Sequence, residues 1–230
     1  ENGLLPGAPA ELTRLLLGPG ERAEIVVAVE AGETAVLRSF AQDLGVSGRQ
    51  IGANDTFDII AIRAAGELEP STGLPDTLGS GNDAPAVPAG ATARTFRLEG
   101  HTSINGEKMD MNRIDAVVPA GALELWQVES NGQPHTFHIH GATFHVLAVN
   151  GREPEPALRG PKDTVFVGPD HAVTLAVQFR EYTDPAFPYM FHCHILRHED
   201  NGMMGQFVVV EPGTEDSVPR QIDGDAHAGH

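Results

Sequence analysis

The sequence predicts an all-β protein, built as an antiparallel β-sandwich. Short apolar stretches rich in β-branched residues recur between turn residues, and the 230 residues include 26 Gly and 17 Pro. No segment carries a long apolar periodicity of 3.6 residues, so long helices are not expected. Many short strands separated by frequent turns are typical of a sandwich.

The individual strands follow from these apolar stretches. Eight stretches carry the pattern most clearly, at residues 23–29, 56–62, 95–98, 122–128, 144–149, 164–167, 172–179 and 205–210. One short segment differs, because ILRHED at 195–200 mixes polar and apolar residues in a way that favours one or two helical turns.

A change of composition predicts the domain organisation. Residues 66–91 are rich in Pro, Gly, Ser and acidic residues and predict a linker. Residues 1–65 are short for a whole sandwich and are predicted to be the end of one domain, whereas 92–212 have the size of a complete one. Residues 213–230 predict a disordered acidic tail.

Composition also excludes several functional classes. A net charge of −17 disfavours binding to phosphate backbones, so no nucleic-acid partner is expected. Apolar runs reach only about five residues, so no membrane span is expected, and the first residues lack the features of a signal peptide. The single Cys excludes an intrachain disulfide and a Cys-rich zinc scaffold.

Against these exclusions stands an excess of His, seven of which lie in the windows HTFHIHGATFH and FHCHILRHEDNGMM. Successive side chains of a strand point to opposite faces. His192 and His194 therefore share one face, and so do His138 and His140. If the two strands are neighbours, these four His form one site. Cys193 and His135 would then form another.

The Cys193 site can be extended by spacing. His198 follows Cys193 by five residues, and Met203 follows His198 by five. One thiolate, two imidazoles and a distant thioether, with His135 as the other imidazole, are the ligands of a blue-copper centre. Met204 is the alternative to Met203. Zinc is a weaker interpretation, because it would leave the Met unexplained.

The other site holds more His than one metal ion usually takes. His138, His140, His192 and His194 therefore suggest half of a multi-metal cluster. Since Cys193 is bonded through the backbone to His192 and His194, electrons would have a short covalent route between the two sites.

These motifs resemble a known family. HxxHxHG followed by HCHxxxHxxxGM is similar to the C-terminal half of the multicopper oxidases, a laccase-like family that includes bacterial copper-efflux oxidases; GERAEIVV, SINGEKMDMN and KDTVFV agree. The resemblance extends to about residue 210. It implies a cupredoxin-like Greek-key β-sandwich, periplasmic or secreted, that oxidises a reductant by single electrons and reduces O2 to water.

The resemblance also implies the roles of the site residues. The type 1 copper ligands would be His135, Cys193, His198 and Met203. The type 2 ligand would be His138, and the type 3 ligands would be His140, His192 and His194. Glu199 matches a carboxylate that relays protons near the cluster, and Asp200 is a second candidate because O2 reduction consumes protons.

One departure from the family is large. The family's trinuclear cluster uses eight His, four of them from HxH motifs of an N-terminal cupredoxin domain, and this sequence has no further HxH motif. We therefore expect a fragment that is inactive alone and needs that missing domain. The reductant could be a phenol, an aromatic amine or a metal ion. With five Met, specificity for cuprous ions is not expected.

Two other functions stay open at this point. A cupredoxin-type electron carrier would explain the Cys193 site but leave four His without a role. A copper nitrite reductase-like enzyme would need fewer His than the two windows supply.

Overall fold

The computed structural model describes residues 7–47, 53–79, 83–180 and 182–222. These residues form two compact units. The larger unit takes the described residues of Glu1–Arg22 and Thr77–His230, and the smaller unit takes those of Ala23–Asp76. No helix in the described part of the chain is long and apolar enough to cross a membrane.

The smaller unit contains an antiparallel pair of strands, β1 (Thr34–Ser39) and β2 (Phe57–Arg63). β2 confirms the strand predicted at 56–62. The strand predicted at 23–29 is wrong, because these residues carry no regular secondary structure. An apolar run needs a partner strand to complete its hydrogen bonds, and residues 23–29 have none among the described residues of this unit.

The larger unit is a sandwich of two five-stranded sheets. The strands of the first sheet, in spatial order, are β4 (Ser103–Ile104), β3 (Ala93–Glu99), β6 (Leu123–Asn131), β10 (Ala172–Phe179) and β8 (Ala142–Val149). The strands of the second sheet are β5 (Ala116–Pro119), β12 (Met204–Val210), β11 (Tyr189–Cys193), β7 (His135–Ile139) and β9 (Thr164–Val167). Within each sheet, strands that lie side by side are mostly not consecutive in sequence, because the chain crosses repeatedly from one sheet to the other. The predicted all-β sandwich is confirmed.

Most of the predicted elements in this unit are present. The predicted strands from 95–98 onward coincide with β3, β6, β8, β9, β10 and β12. The extended geometry assumed for the two His windows is confirmed by β7 and β11. The short helix predicted at ILRHED is α1 (Leu196–Asp200).

The core lies between the two sheets and is rich in aromatic residues. Trp126, Phe137, Phe191 and Phe207 are completely or almost completely buried. The Trp126 ring centroid lies 6.2 Å from that of Phe137 and 6.0 Å from that of Phe191. Since Phe137 and Phe191 belong to β7 and β11, this core holds the two His-bearing strands in place.

Two regions differ from the sequence expectation. Residues 7–22 belong to the larger unit rather than to a separate domain 1–65. Residues 213–222, for which the composition predicts a disordered tail, contain a 3-10 turn at Glu215–Ser217, and Val218 and Ile222 pack against a buried apolar cluster that includes Ile114. Residues 223–230, with His227 and His230, lie outside the described residues, and the other predicted domain limits stay a prediction.

Candidate metal centres

The two His windows lie side by side because β7 pairs with β11. His192 is opposite His138 and Cys193 is opposite Phe137 in this antiparallel ladder. Beyond the ladder, the backbone N–H of His194 donates to the carbonyl of Thr136 at 2.7 Å. The strands are thus neighbours, and the alternating faces separate the side chains into two groups.

The first group, which we call the thiol cluster, consists of His135, Cys193 and His198. Sγ of Cys193 lies 3.7 Å from Nδ1 of His135 and 3.5 Å from Nδ1 of His198. His135 and Cys193 are completely buried and His198 is 3% exposed. Three elements supply the residues: the start of β7, the end of β11, and α1.

Burial sets the protonation of the thiol cluster. It raises the pKa of the Cys193 thiol to about 11 and lowers the pKa of His135 to about 3 and that of His198 to about 4. A buried thiol with a raised pKa is a poor nucleophile. Neutral imidazoles keep a lone pair for a metal ion, and binding at Cys193 must displace the thiol proton.

The spacing of these atoms fits a single first-row metal ion. Nitrogen and sulfur ligands at about 2.0 Å and 2.3 Å, separated by angles of about 110–120°, lie roughly 3.5–3.8 Å apart. The two observed N–S separations, 3.5 and 3.7 Å, match that spacing. A soft thiolate with two imidazoles suits copper in particular.

Met203 lies beside this cluster. It is completely buried in the same core as Cys193. Its carbonyl accepts from the N–H of Cys193 at 3.1 Å, and its N–H donates to the carbonyl of His198 at 3.0 Å. Met204 is half-buried and lines a surface concavity instead. Of the two residues, Met203 is therefore the one that packs in the core with Cys193.

The second group, which we call the imidazole cluster, consists of His138, His140 and His192. Nε2 of His140 lies 3.2 Å from Nε2 of His192, and the His138 ring centroid is 5.0 Å from that of His140 and 5.2 Å from that of His192. Burial lowers the pKa of all three imidazoles, that of His138 to about 4. The His194 ring lies somewhat farther away, 5.4 Å from that of His138.

Outer hydrogen bonds orient two of these rings. Nδ1 of His138 lies 2.9 Å from both the carbonyl of Asp163 and the hydroxyl of Thr164. Nδ1 of His192 lies 3.2 Å from the carbonyl of Cys193 and 3.3 Å from the carboxylate of Glu199. Imidazoles that bind metals usually donate their other N–H in this way, which leaves Nε2 free to bind.

The two carboxylates predicted for proton transfer are placed differently. Glu199 is partly exposed and its carboxylate contacts the imidazole cluster through His192. Asp200 is exposed at the end of α1.

Residues 20–22, which precede β1, contact residues of the imidazole cluster and its surroundings. Gly20 has a φ of +84°, and a Cβ there would lie 2.5 Å from Cδ2 of His194. The carboxylate of Glu21 lies 3.4 Å from Nζ of buried Lys162. Arg22 donates to both carboxylate oxygens of Asp163, at 2.6 and 2.8 Å. The motif GERAEIVV therefore begins at the site. Its apolar second half is typical of a strand, and this pattern concealed the contacts of its first residues.

His101 lies outside both His windows, and its sequence context, EGHTSING, indicates only a loop residue. It lies in a turn between β3 and β4, but its Nδ1 is 2.8 Å from Nε2 of His198. Because 97 residues separate these two His, no local spacing could have connected them.

The β-sandwich thus carries a Cys–His cluster beside a multi-His cluster, which is the arrangement that the two sequence motifs predict. The chain belongs to the multicopper oxidase family, whose model matches residues 81–213. This match confirms the family that the motifs resembled.

Individual relatives agree with this assignment. The multicopper oxidase mco of Staphylococcus aureus is 42% identical over 126 residues, which are 51% of this chain and 27% of the relative. The cell division protein FtsP of Dickeya dadantii is 36% identical over 214 residues, 90% of this chain and 44% of the relative. The chain thus spans less than half of either relative.

A solved structure confirms the cupredoxin-like Greek-key fold. It is a laccase-like multicopper oxidase, CueO, from the lignin-degrading bacterium Ochrobactrum sp.. It shares 31% identity with this chain and a TM-score of 0.64, over 78% of this chain and 42% of the other.

Proposed function

We propose that this chain is the part of a multicopper oxidase that accepts single electrons at the thiol cluster and transfers them to a copper cluster that reduces O2. The observation that carries the proposal is the adjacency of the two clusters. Cys193 of the thiol cluster and His192 of the imidazole cluster are consecutive residues of β11, with side chains on opposite faces.

The residues divide the metal-binding roles between them. Type 1 copper would be held by His135, Cys193, His198 and Met203. The cluster that reduces O2 would take His138 as its type 2 ligand, and His140, His192 and His194 as its type 3 ligands. When bound, copper supplies reversible one-electron chemistry at the first site and the four-electron reduction of O2 to water at the second.

The backbone of β11 provides the route between the clusters. Cys193 is covalently bonded to both His192 and His194. The carbonyl of Cys193 also lies 3.2 Å from Nδ1 of His192, which gives a hydrogen-bonded shortcut to the same ring.

Glu199 would deliver protons to the cluster that reduces O2. Its carboxylate lies 3.3 Å from Nδ1 of His192, and its side chain is 29% exposed. A carboxyl group that touches both solvent and the imidazole cluster can take up protons from water and hold them near the site. Asp200, which is exposed, stays a second candidate.

The imidazole cluster points to a further domain. It borders an open surface concavity of about 450 Å³ that is lined by His138, His140 and Asp163. An N-terminal cupredoxin domain that supplies the remaining His would cover this concavity. We infer that the chain alone does not reduce O2, that the intact protein works in the periplasm or outside the cell, and that its reductant is a phenol, an aromatic amine or a metal ion.

Copper loading tests the thiol cluster directly. We expect the metal-free chain to take up copper(II) and show intense blue absorption, and Cys193→Ser to lose it. His171→Ala, which changes an exposed His outside both clusters, is the matched control and stays blue. A blue Cys193→Ser protein would show that the ligand assignment is wrong.

Copper counting separates the oxidase from the other candidates. An electron carrier binds one copper per chain, whereas a chain with an imidazole cluster binds more. Loss of the additional copper in His138→Ala, with the blue absorption kept, supports the oxidase. A copper nitrite reductase-like enzyme would instead be identified by nitrite-dependent turnover.

A role in cell division is a second candidate, because the FtsP relative covers 90% of this chain whereas the mco relative covers 51%. Such a role does not by itself require the Cys193 thiol. A chain that binds no copper would favour this second candidate over the oxidase.

A further inference from the structure

The thiol cluster is shielded from solvent on nearly every side. His135, Cys193 and Met203 are completely buried, and His198 is 3% exposed. An electron donor in solution therefore has no direct contact with any of the proposed type 1 ligands in the described chain. Some other group must connect this centre to the surface.

His101 is placed to make that connection. It is partly exposed, and its Nδ1 lies 2.8 Å from Nε2 of His198. The two ring centroids are 4.7 Å apart. The other imidazole of the cluster has no such contact, because Nε2 of His135 is buried without a hydrogen-bond partner among the described residues.

The hydrogen bond also determines which nitrogen of His198 can bind a metal. Nδ1 of His198 faces Sγ of Cys193 at 3.5 Å, so it is the nitrogen available for a shared metal ion. For Nδ1 to offer its lone pair, the ring proton must sit on Nε2. Nδ1 of His101 lies 2.8 Å from Nε2 of His198. It must therefore accept the hydrogen bond that the Nε2–H of His198 donates.

We propose that His101 is the outer partner of the thiol cluster: it fixes the His198 tautomer that binds copper through Nδ1, and it is the residue through which an electron donor reaches that copper. The proposal rests on the proposed function. The donor loses one electron, and the copper(II) centre is reduced to copper(I). No bond to the donor forms, and no proton crosses the hydrogen bond between the two rings.

The tautomer is measured first, in the metal-free chain, by long-range ¹H–¹⁵N spectra of the imidazoles, with His198→Gln used to assign the signals. We expect the His198 proton on Nε2. His101→Phe keeps an aromatic ring but removes the acceptor, so the His198 proton distributes over both nitrogens. His101→Gln restores an acceptor oxygen and the single tautomer. A natural chain with the proton on Nδ1 overturns the proposal.

Copper binding is measured next, by competition with a chelator. Loss of an outer hydrogen-bond partner typically costs 10–100-fold in metal affinity. We expect a weakening of that order in His101→Phe, recovery in His101→Gln, and no change in the control His171→Phe. Affinity that is equal in all four proteins overturns the positioning role.

Electron uptake is measured last, by stopped-flow loss of blue absorption with hexaammineruthenium(II) as the donor. The copper(II)-loaded His101→Phe protein should be reduced more slowly than the natural chain, and His171→Phe at the natural rate. Equal rates overturn the role in electron uptake. A natural chain that binds no copper refutes the proposed function, whereas the tautomer measurement still decides the role of His101.

Discussion

Asp163 connects the segment around Arg22 to the imidazole cluster. The loss in the free energy of unfolding when its carboxylate is removed follows from its contacts. Its carboxylate accepts two hydrogen bonds from Arg22, at 2.6 and 2.8 Å, and one from the Thr164 hydroxyl at 2.7 Å. Thr164 is completely buried, so in Asp163→Ala its hydroxyl loses an acceptor at a cost of about 1–3 kcal/mol. The Arg22 side chain is 45% exposed and regains water, so losing that pair costs only about 1 kcal/mol more.

We therefore expect Asp163→Ala to lower the free energy of unfolding by about 2–4 kcal/mol. Asp163→Asn keeps an oxygen for the Thr164 hydroxyl and should lose about half as much. The matched control is Glu153→Ala, which breaks an ion pair between Glu153, 80% exposed, and Arg159, 53% exposed. Its free energy of unfolding should fall by less than about 1 kcal/mol. Urea unfolding of the metal-free chains measures all three. If Asp163→Ala and Glu153→Ala unfold at the same urea concentration, the carboxylate does not hold this region together.

Three further predictions concern the site, the pH dependence and the core. Gly20→Ala should displace the ring of His194 and shift its NMR signals, because the new Cβ would overlap that ring, whereas Gly32→Ala, also at positive φ but with no atom within 4 Å, should leave the His194 signals unchanged. Burial lowers the pKa of the cluster imidazoles, to about 3 or 4 where the shift is largest, so below about pH 6.5 the unfolded chain takes up protons that the folded chain does not. The free energy of unfolding of the metal-free chain should then fall on acidification, by at most ~1.4 kcal/mol per pH unit for each imidazole. Urea unfolding between about pH 7.5 and pH 5 measures this change. A free energy of unfolding that stays constant over this range would contradict the prediction. Glu124→Leu should cost about 3–5 kcal/mol in urea unfolding because it leaves Arg94 without its buried partner. The double variant with Arg94→Met should recover only part of that loss, because the buried Trp126 N–H, which donates to Glu124 at 2.8 Å, still lacks its acceptor at a cost of about 1–3 kcal/mol. Equal losses in the single and double variants would contradict the ion-pair argument.

Much of the local structure could be predicted because it depends on neighbours in the chain. Alternation of apolar residues located strands such as β6 and β10, and the short helix after Cys193 was expected from its mixed pattern. The period of two along a strand is a property of the backbone, so the sequence alone places His192 and Cys193 on opposite faces.

The strand predicted at 23–29 shows where local patterns are insufficient. Its residues have high β propensity, but propensity is expressed only where a partner strand completes the ladder. The tail at 213–222 shows the opposite case, because its polar composition concealed Val218 and Ile222, which find an apolar surface to cover.

The sequence by itself determined the all-β class, the two faces of each His window and the residue types, Cys and His, of the thiol cluster. Tertiary structure alone decided which groups surround those side chains. The pairing of β7 with β11, the packing of Gly20 on His194 and the contact of His101 with His198 all join residues far apart in the chain. Such contacts depend on how the two sheets pack around the shared aromatic core, and no short-range periodicity records that packing.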